Sequence, residues 1–257
     1  MHAHIVLAHP EQGSFNAQLA DTARAQLESQ GYSTSISNLY DMDFDPREKI
    51  AHYDLDGTGG TGLMAAQQKA ATAGKIPHAV EREIALLDKA DLLILQFPLW
   101  WHMPPAMLKG WFDRVLVFGK VYDGAVRFEN GRYKSKRALL SVTTGTTAAT
   151  YEYNGRAGDI NLMLWPVQFS LAYVGYTILR PFVAYAVGNP IQAPGADPVD
   201  VQIQRVKQEY AGVLEGIDDV PEIPFNKMSE WGPDGRIVDS APIYSPYIRR
   251  VEKLILE

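Results

Sequence analysis

Apolar and polar positions fall in blocks along this chain, and the blocks predict strands and helices in alternation. Ile5-Val6-Leu7-Ala8 is a short uninterrupted apolar run, as a strand buried on both faces requires. Ser14 stands where a helix to about Gln30 needs its N-cap, and Gly31 supplies the stop signal. Ser33 to Asn38 reads as a second strand, polar enough to lie at a sheet edge. Residues 40–76 form a long excursion around Gly57-Thr58-Gly59-Gly60-Thr61-Gly62, which reads as a loop or lid. A helix over about 77–89 leads to Leu92-Leu93-Ile94-Leu95-Gln96-Phe97, the strongest strand pattern in the chain. A helix over about 106–117, a strand over Ala138 to Thr143 and a helix over about 159–173 follow. The fifth strand lies within Tyr176 to Val187, and a last helix covers about 198–215. Five strands with intervening helices predict an α/β fold, a doubly wound parallel sheet of order 2-1-3-4-5, over residues 1–218. Residues 219–257 read as a Pro-rich extended tail that packs on the domain or on a partner subunit.

Ile160 to Leu179 carries no charge and is long enough to span a bilayer. Asn161, Pro166, Gln168, Ser170 and Gly175 weaken it, so a buried helix followed by a strand is expected instead of membrane insertion. A hydrophobic content of 46% supports a sizeable core, and 21% charged residues is ordinary. The net charge of −6 argues against nucleic acid as a partner. The absence of cysteine excludes disulfides, thiolate catalysis and iron–sulfur clusters. The first residues enter an apolar strand without a signal-peptide pattern, so a cytoplasmic location is expected. No metal site is expected, because His2 and His4 lack a carboxylate at ligand spacing.

Three motifs fall at predicted strand ends: His9-Pro10-Glu11-Gln12-Gly13-Ser14-Phe15-Asn16, Phe97-Pro98-Leu99-Trp100-Trp101-His102 and Thr143-Thr144-Gly145-Thr146. In an open α/β sheet ligands bind beyond the carboxyl ends of the strands, where the order reverses. The first motif offers helix N-terminal N–H groups for an anion, though Ser14 and Asn16 are equally suited to plain helix capping, and His9 to a turn. The second offers aromatic faces, which would be costly to leave uncovered. The third offers hydroxyls and a glycine that permits close backbone approach. Together they suit a flat, hydrogen-bonding cofactor such as a flavin. The glycine cluster at 57–62 lacks the lysine of a phosphate-binding P-loop.

Val6-Leu7-Ala8-His9, Ser14-Phe15-Asn16, Phe97-Pro98-Leu99, Leu108-Lys109-Gly110-Trp111-Phe112, Ser135-Lys136 and Leu164-Trp165-Pro166 occur in the order and approximate spacing of a known set. As a set they resemble the NAD(P)H:quinone oxidoreductases of the DT-diaphorase type, over about residues 4–188. The resemblance implies a flavodoxin-like fold, FAD, NAD(P)H as donor, a quinone as acceptor and a homodimer with active sites at the interface. It also implies ping-pong hydride transfer. It implies FAD contacts at His9, Ser14, Phe15 and Asn16 for the adenine-diphosphate half. For the flavin half it implies Pro98, Leu99, Trp101, Thr143, Thr144, Gly145 and Thr146, with Trp100 and His102 in the same aromatic turn. Asp113 stands where the family has an acidic residue. Tyr151 takes the place of the family's catalytic tyrosine. Tyr122 matches a tyrosine that lines the substrate pocket from the partner chain, together with Trp101 and His102.

The departures bear on mechanism. Ala157 stands where the family has a histidine six residues after the tyrosine, with Arg156 beside it. Tyr151 and Arg156, with His102 as a further proton donor, are therefore the candidate catalytic residues. Trp100 replaces a polar residue, and the family's glycine pair is reduced to Gly145-Thr146. An FMN-dependent azoreductase or nitroreductase, a flavodoxin-like electron carrier and a flavin-binding ancillary subunit of a transporter are the alternative readings.

Overall fold

In the computed structural model, which describes residues 1–53, 62–187, 198–245 and 248–250, the apolar runs become the centre of one sheet. Strands β1 (His2–Leu7), β3 (Leu92–Pro98) and β4 (Arg137–Thr143) are almost wholly buried. The polar β2 (Ser33–Asn38) pairs only with β1 and lies at the edge, as its composition predicts. The sheet order is β2-β1-β3-β4, with parallel pairing throughout this part.

Helices cover both faces because the strands are apolar on both. Helix α1 (Phe15–Ser29) and α6 (Val199–Glu215) pack Ala20, Ala23, Leu27, Val206, Tyr210 and Leu214 on one side. Helices α3 (His78–Lys89), α4 (Ala106–Val115) and α5 (Ile160–Tyr173) bury Ile84, Trp111 and Leu164 on the other. The uncharged stretch is thus a helix buried along one face and followed by a short strand, and among the described residues no helix is long and apolar enough to cross a membrane.

The structure corrects three expectations. The excursion over 40–76 contains a helix, α2 (Leu63–Ala73), whose N-cap is Gly62 at φ 74° and whose C-cap is the left-handed Gly74. Residues 57–61 of the glycine cluster lie outside the described residues. The fifth strand is two short pieces, β5 (Thr177–Leu179) and β6 (Phe182–Ala184), interrupted at Arg180-Pro181, and each pairs with a different part of β4. Proline has no N–H to donate, so the chain breaks and resumes along β4. A seventh strand, β7 (Glu222–Ile223), comes from the Pro-rich region and pairs antiparallel with β5.

Candidate active site

Parallel pairing sets the site, because it brings three loops to one edge. Leu7 is in register with Gln96, and Pro98 with Thr143. The loops are tied directly: Ala8 N–H donates to Gln96 O at 3.0 Å, and Leu99 N–H to Thr143 O at 2.8 Å. The chain passes from β1 to β2 on one side and to β3 on the other, so the crevice sits at the switch point of the sheet.

At the first loop Ser14 does cap α1, its Oγ accepting from Ala17 N–H at 3.1 Å. The N–H groups of Phe15 and Asn16 have no acceptor among the described residues, the usual condition of a first helical turn and a natural anion site. His9 is also a turn residue: Glu11 N–H donates to its Nδ1 at 3.1 Å. Its ring is tilted against Trp100 at 5.7 Å.

The second loop is a tight turn. Trp100 N–H donates to Met103 O at 2.9 Å, and Met103 N–H to Trp100 O at 3.0 Å. Both central residues are left-handed, Trp101 at φ 52° and His102 at φ 65°, where glycine or asparagine is the ordinary choice. Trp101 is consequently 89% exposed and Trp100 41% exposed. Packing of Trp101 beneath the following helix, one of the ways of covering it, is therefore not what the single chain shows, because the turn projects it outward.

The third loop is anchored to the end of β6. Thr144 N–H donates to Ala184 O at 2.9 Å, and Ala186 N–H to Thr146 O at 2.9 Å. A Cβ built on Gly145 meets no described atom within 4 Å. Tyr151 closes a short 3-10 turn (Ala148–Tyr151), is 8% exposed, and lies 6.1 Å from the Tyr185 ring. Burial pushes its phenol above the ordinary tyrosine value. Arg156 and His102 are exposed, and no contact among the described residues joins either to Tyr151.

A cavity of about 1040 Å³ adjoins the turn, between α2, α4 and α5. Trp100, Trp101, Asp113 and Tyr122 of the predicted set line it, with Phe169 and Tyr173. Asp113 is paired there with Lys109. Ser14 to Asn16, Thr143 to Thr146, His102 and Tyr151 are not on its wall, so the predicted residues divide between cavity and crevice with the Trp100–Met103 turn between them. Sequence reading missed Gln96, whose buried amide joins Asn16; its one visible signal is a polar residue within an apolar strand.

A planar group with an anionic tail fits this arrangement. The Thr143–Thr146 loop, the projecting Trp101 and the unsatisfied N–H groups of α1 would take its rim, its face and its phosphates.

Comparison with known proteins gives the family. The family described as having a flavodoxin-like fold matches residues 1–210. NAD(P)H dehydrogenase [quinone] 1 of Rattus norvegicus is 36% identical over 217 residues, covering 82% of this chain and 73% of that protein. Ribosyldihydronicotinamide dehydrogenase [quinone] of Mus musculus is 38% identical over 191 residues, 71% of this chain and 80% of that protein. A solved structure from Klebsiella pneumoniae, described as a quinone reductase, superposes with a TM-score of 0.82 at 28% identity over 92% of this chain and 93% of its own. The chain belongs to the NAD(P)H:quinone oxidoreductase family of flavodoxin-like proteins.

Proposed function

We propose that the protein is a flavin-dependent NAD(P)H:quinone oxidoreductase that holds FAD and works by a ping-pong cycle as a cytoplasmic homodimer. One observation carries the reading: a doubly left-handed turn holds Trp101 almost fully exposed, two residues after Leu99, whose N–H is bonded to Thr143 O. Backbone strain of this kind persists where surrounding structure and function require it. An indole so placed supplies a wall for a planar ring.

A flavin bound there would supply the hydride-transfer chemistry between the nicotinamide and the quinone. The residues around it position and stabilise. Phe15 and Asn16 N–H groups hold the anionic half, helped by the dipole of α1. Trp101, with His102, forms a slot that keeps planar reactants within reach, and reaction requires reacting atoms about 3–3.5 Å apart. Tyr151, kept protonated by burial, donates its O–H where negative charge develops at the ring's electron-rich edge. Arg156 adds positive charge near that edge from an exposed position. Tyr122 lines the apolar cavity, and a second subunit seated over Trp101 and this cavity completes the substrate slot. FAD in preference to FMN rests on the likeness of His9 and Ser14 to Asn16 to the family's adenine-diphosphate contacts.

Heat release of the bound chromophore followed by chromatography tests the cofactor, and NADH or NADPH oxidation with menadione tests the activity. FAD release and parallel double-reciprocal lines are expected. Colourless protein that takes up no flavin on reconstitution sinks the reading.

A further inference from the structure

Gln96 is the one polar side chain in β3, in the segment Leu-Leu-Ile-Leu-Gln-Phe-Pro, and it is fully buried. An amide in such a place costs stability unless its polar atoms are paired. Its Nε2 donates to Asn16 Oδ1 at 2.9 Å while its Oε1 finds no partner among the described residues, and Asn16 Nδ2 donates to Thr143 Oγ1 at 3.0 Å. The three side chains are 0%, 4% and 6% exposed and come from β3, the first turn of α1 and the end of β4. They form a short hydrogen-bonded relay beneath the crevice. One end is the middle of the sheet, and the other reaches the anion-facing turn and the ring-facing loop together.

The direction of donation matters. Donation from Gln96 fixes Asn16 Oδ1 toward β3 and so presents Nδ2 to Thr143. The Thr143 oxygen is then an acceptor, and its own proton has only a return to Asn16 Oδ1 at 3.4 Å among the described residues. That distance is long for an O–H donor, whose usual range ends near about 3.0 Å. The proton is left for an acceptor on a bound ligand.

We propose that Gln96 is a positioning residue for the cofactor: through Asn16 it locks the α1 turn to the β4 loop and presents the Thr143 hydroxyl as a donor. This rests on reading the crevice as a flavin site. Gln96 itself touches no ligand, so its effect travels wholly through Asn16 and Thr143. A residue that merely filled the core would lower the stability of the apoprotein without coupling to Thr143.

The test is a double-mutant cycle on the full chain, with FAD and FMN titrated into apoprotein by fluorescence quenching and apoprotein stability followed by thermal unfolding. Gln96→Leu and Thr143→Val are each expected to weaken flavin binding about tenfold or more, the scale of leaving one buried partner unpaired. The double variant should bind about as weakly as the worse single variant, because coupled residues are not additive. Thr143→Ser, which keeps the hydroxyl, should restore most of the affinity. Gln96→Met keeps the length but offers no donor, so Asn16 Oδ1 is no longer held toward β3 and the Asn16 amide is free to turn over and draw the Thr143 proton inward. It should weaken binding and alter the visible circular dichroism of bound flavin, and it serves where Gln96→Leu does not fold. Multiplying single effects in the double variant, or a Gln96→Met protein that binds flavin as the parent does, overturns the proposal alone. A parent apoprotein that takes up neither flavin overturns the function reading and this proposal with it.

Discussion

Trp111 donates its indole N–H to Glu83 Oε2 at 2.9 Å, and both side chains are fully buried. Ser37 Oγ donates to the other carboxylate oxygen at 2.8 Å, and His4 Nε2 lies 3.9 Å from Oε2. One carboxylate thereby joins α3, α4, β1 and β2. The carboxylate near His4 is not at ligand spacing in the sequence: Glu83 arrives from far along the chain. Among the described residues no group of three or more metal-ligating side chains forms around it.

This cluster predicts an acid-sensitive stability. Burial alone pushes the Glu83 carboxyl up, and the nearby His4 ring with the hydrogen bonds from Trp111 and Ser37 outweighs it, leaving the group below its ordinary value. A group depressed in the folded state stabilises the protein above its unfolded value of about 4.3, and that stability is lost as pH falls through the folded value. Glu83→Gln should destabilise by roughly 1–3 kcal/mol at pH 7 and flatten the decline below about pH 5. Urea unfolding at pH 4, 5.5 and 7 measures both effects, and an unchanged acid limb would remove Glu83 as its source.

Tyr151→Phe deletes a donor while keeping the ring. The rate of flavin reduction should fall about 10²-fold, as for other single donors to developing charge, with flavin still bound. Burial raises the phenol above its ordinary value, so its proton is retained at every pH from 6 to 9 and this contribution should be flat there. Stopped-flow reduction rates equal to those of the parent take Tyr151 out of the chemistry.

His102→Gly tests the strain in the aromatic turn. A left-handed residue with a side chain costs on the order of 1–3 kcal/mol, partly offset by the greater unfolded entropy of glycine. Apoprotein stability should therefore rise by roughly 1 kcal/mol. A lower melting temperature for the variant would show that the turn is relaxed.

Gly110→Ala runs against helix propensity. In an ordinary helix interior the change gains about 1 kcal/mol. Here the new Cβ would meet Pro46 O at 2.2 Å and Pro46 Cβ at 2.3 Å, so α4 must move off the loop it packs on. The Arg114 bond to Asp45 O, 2.7 Å, lies in the same contact. A loss of about 2–3 kcal/mol in denaturant unfolding is expected. A gain in stability would show that the close approach is absent.

What was legible depended on how local the signal is. The three central strands announce themselves because burial on both faces demands unbroken apolar runs. Helix α2 was hidden behind the glycine cluster, although Ala, Gln and Met suit a helix. Strand β7 spans two residues in a Pro-rich region, and only the exposed edge of β5 makes it a strand. Lys136 belonged to a motif without an evident purpose. The fold shows its ammonium donating to Asp88 O and Ala90 O at the end of α3.

The sequence by itself determined the layered α/β class, the succession of central strands and the three loops that carry polar and aromatic groups, because hydrophobic periodicity and capping are local properties. Only the tertiary structure decided which groups meet. Gln96 and Asn16 are 80 residues apart, and Asn16 and Thr143 are 127 apart, yet register brings them within hydrogen-bond distance. It also decided that Trp101 points outward, since the turn's positive φ values follow from closing β3 onto α4. Hydrogen bonds and backbone strain depend on spacing in three dimensions, which a linear pattern does not contain.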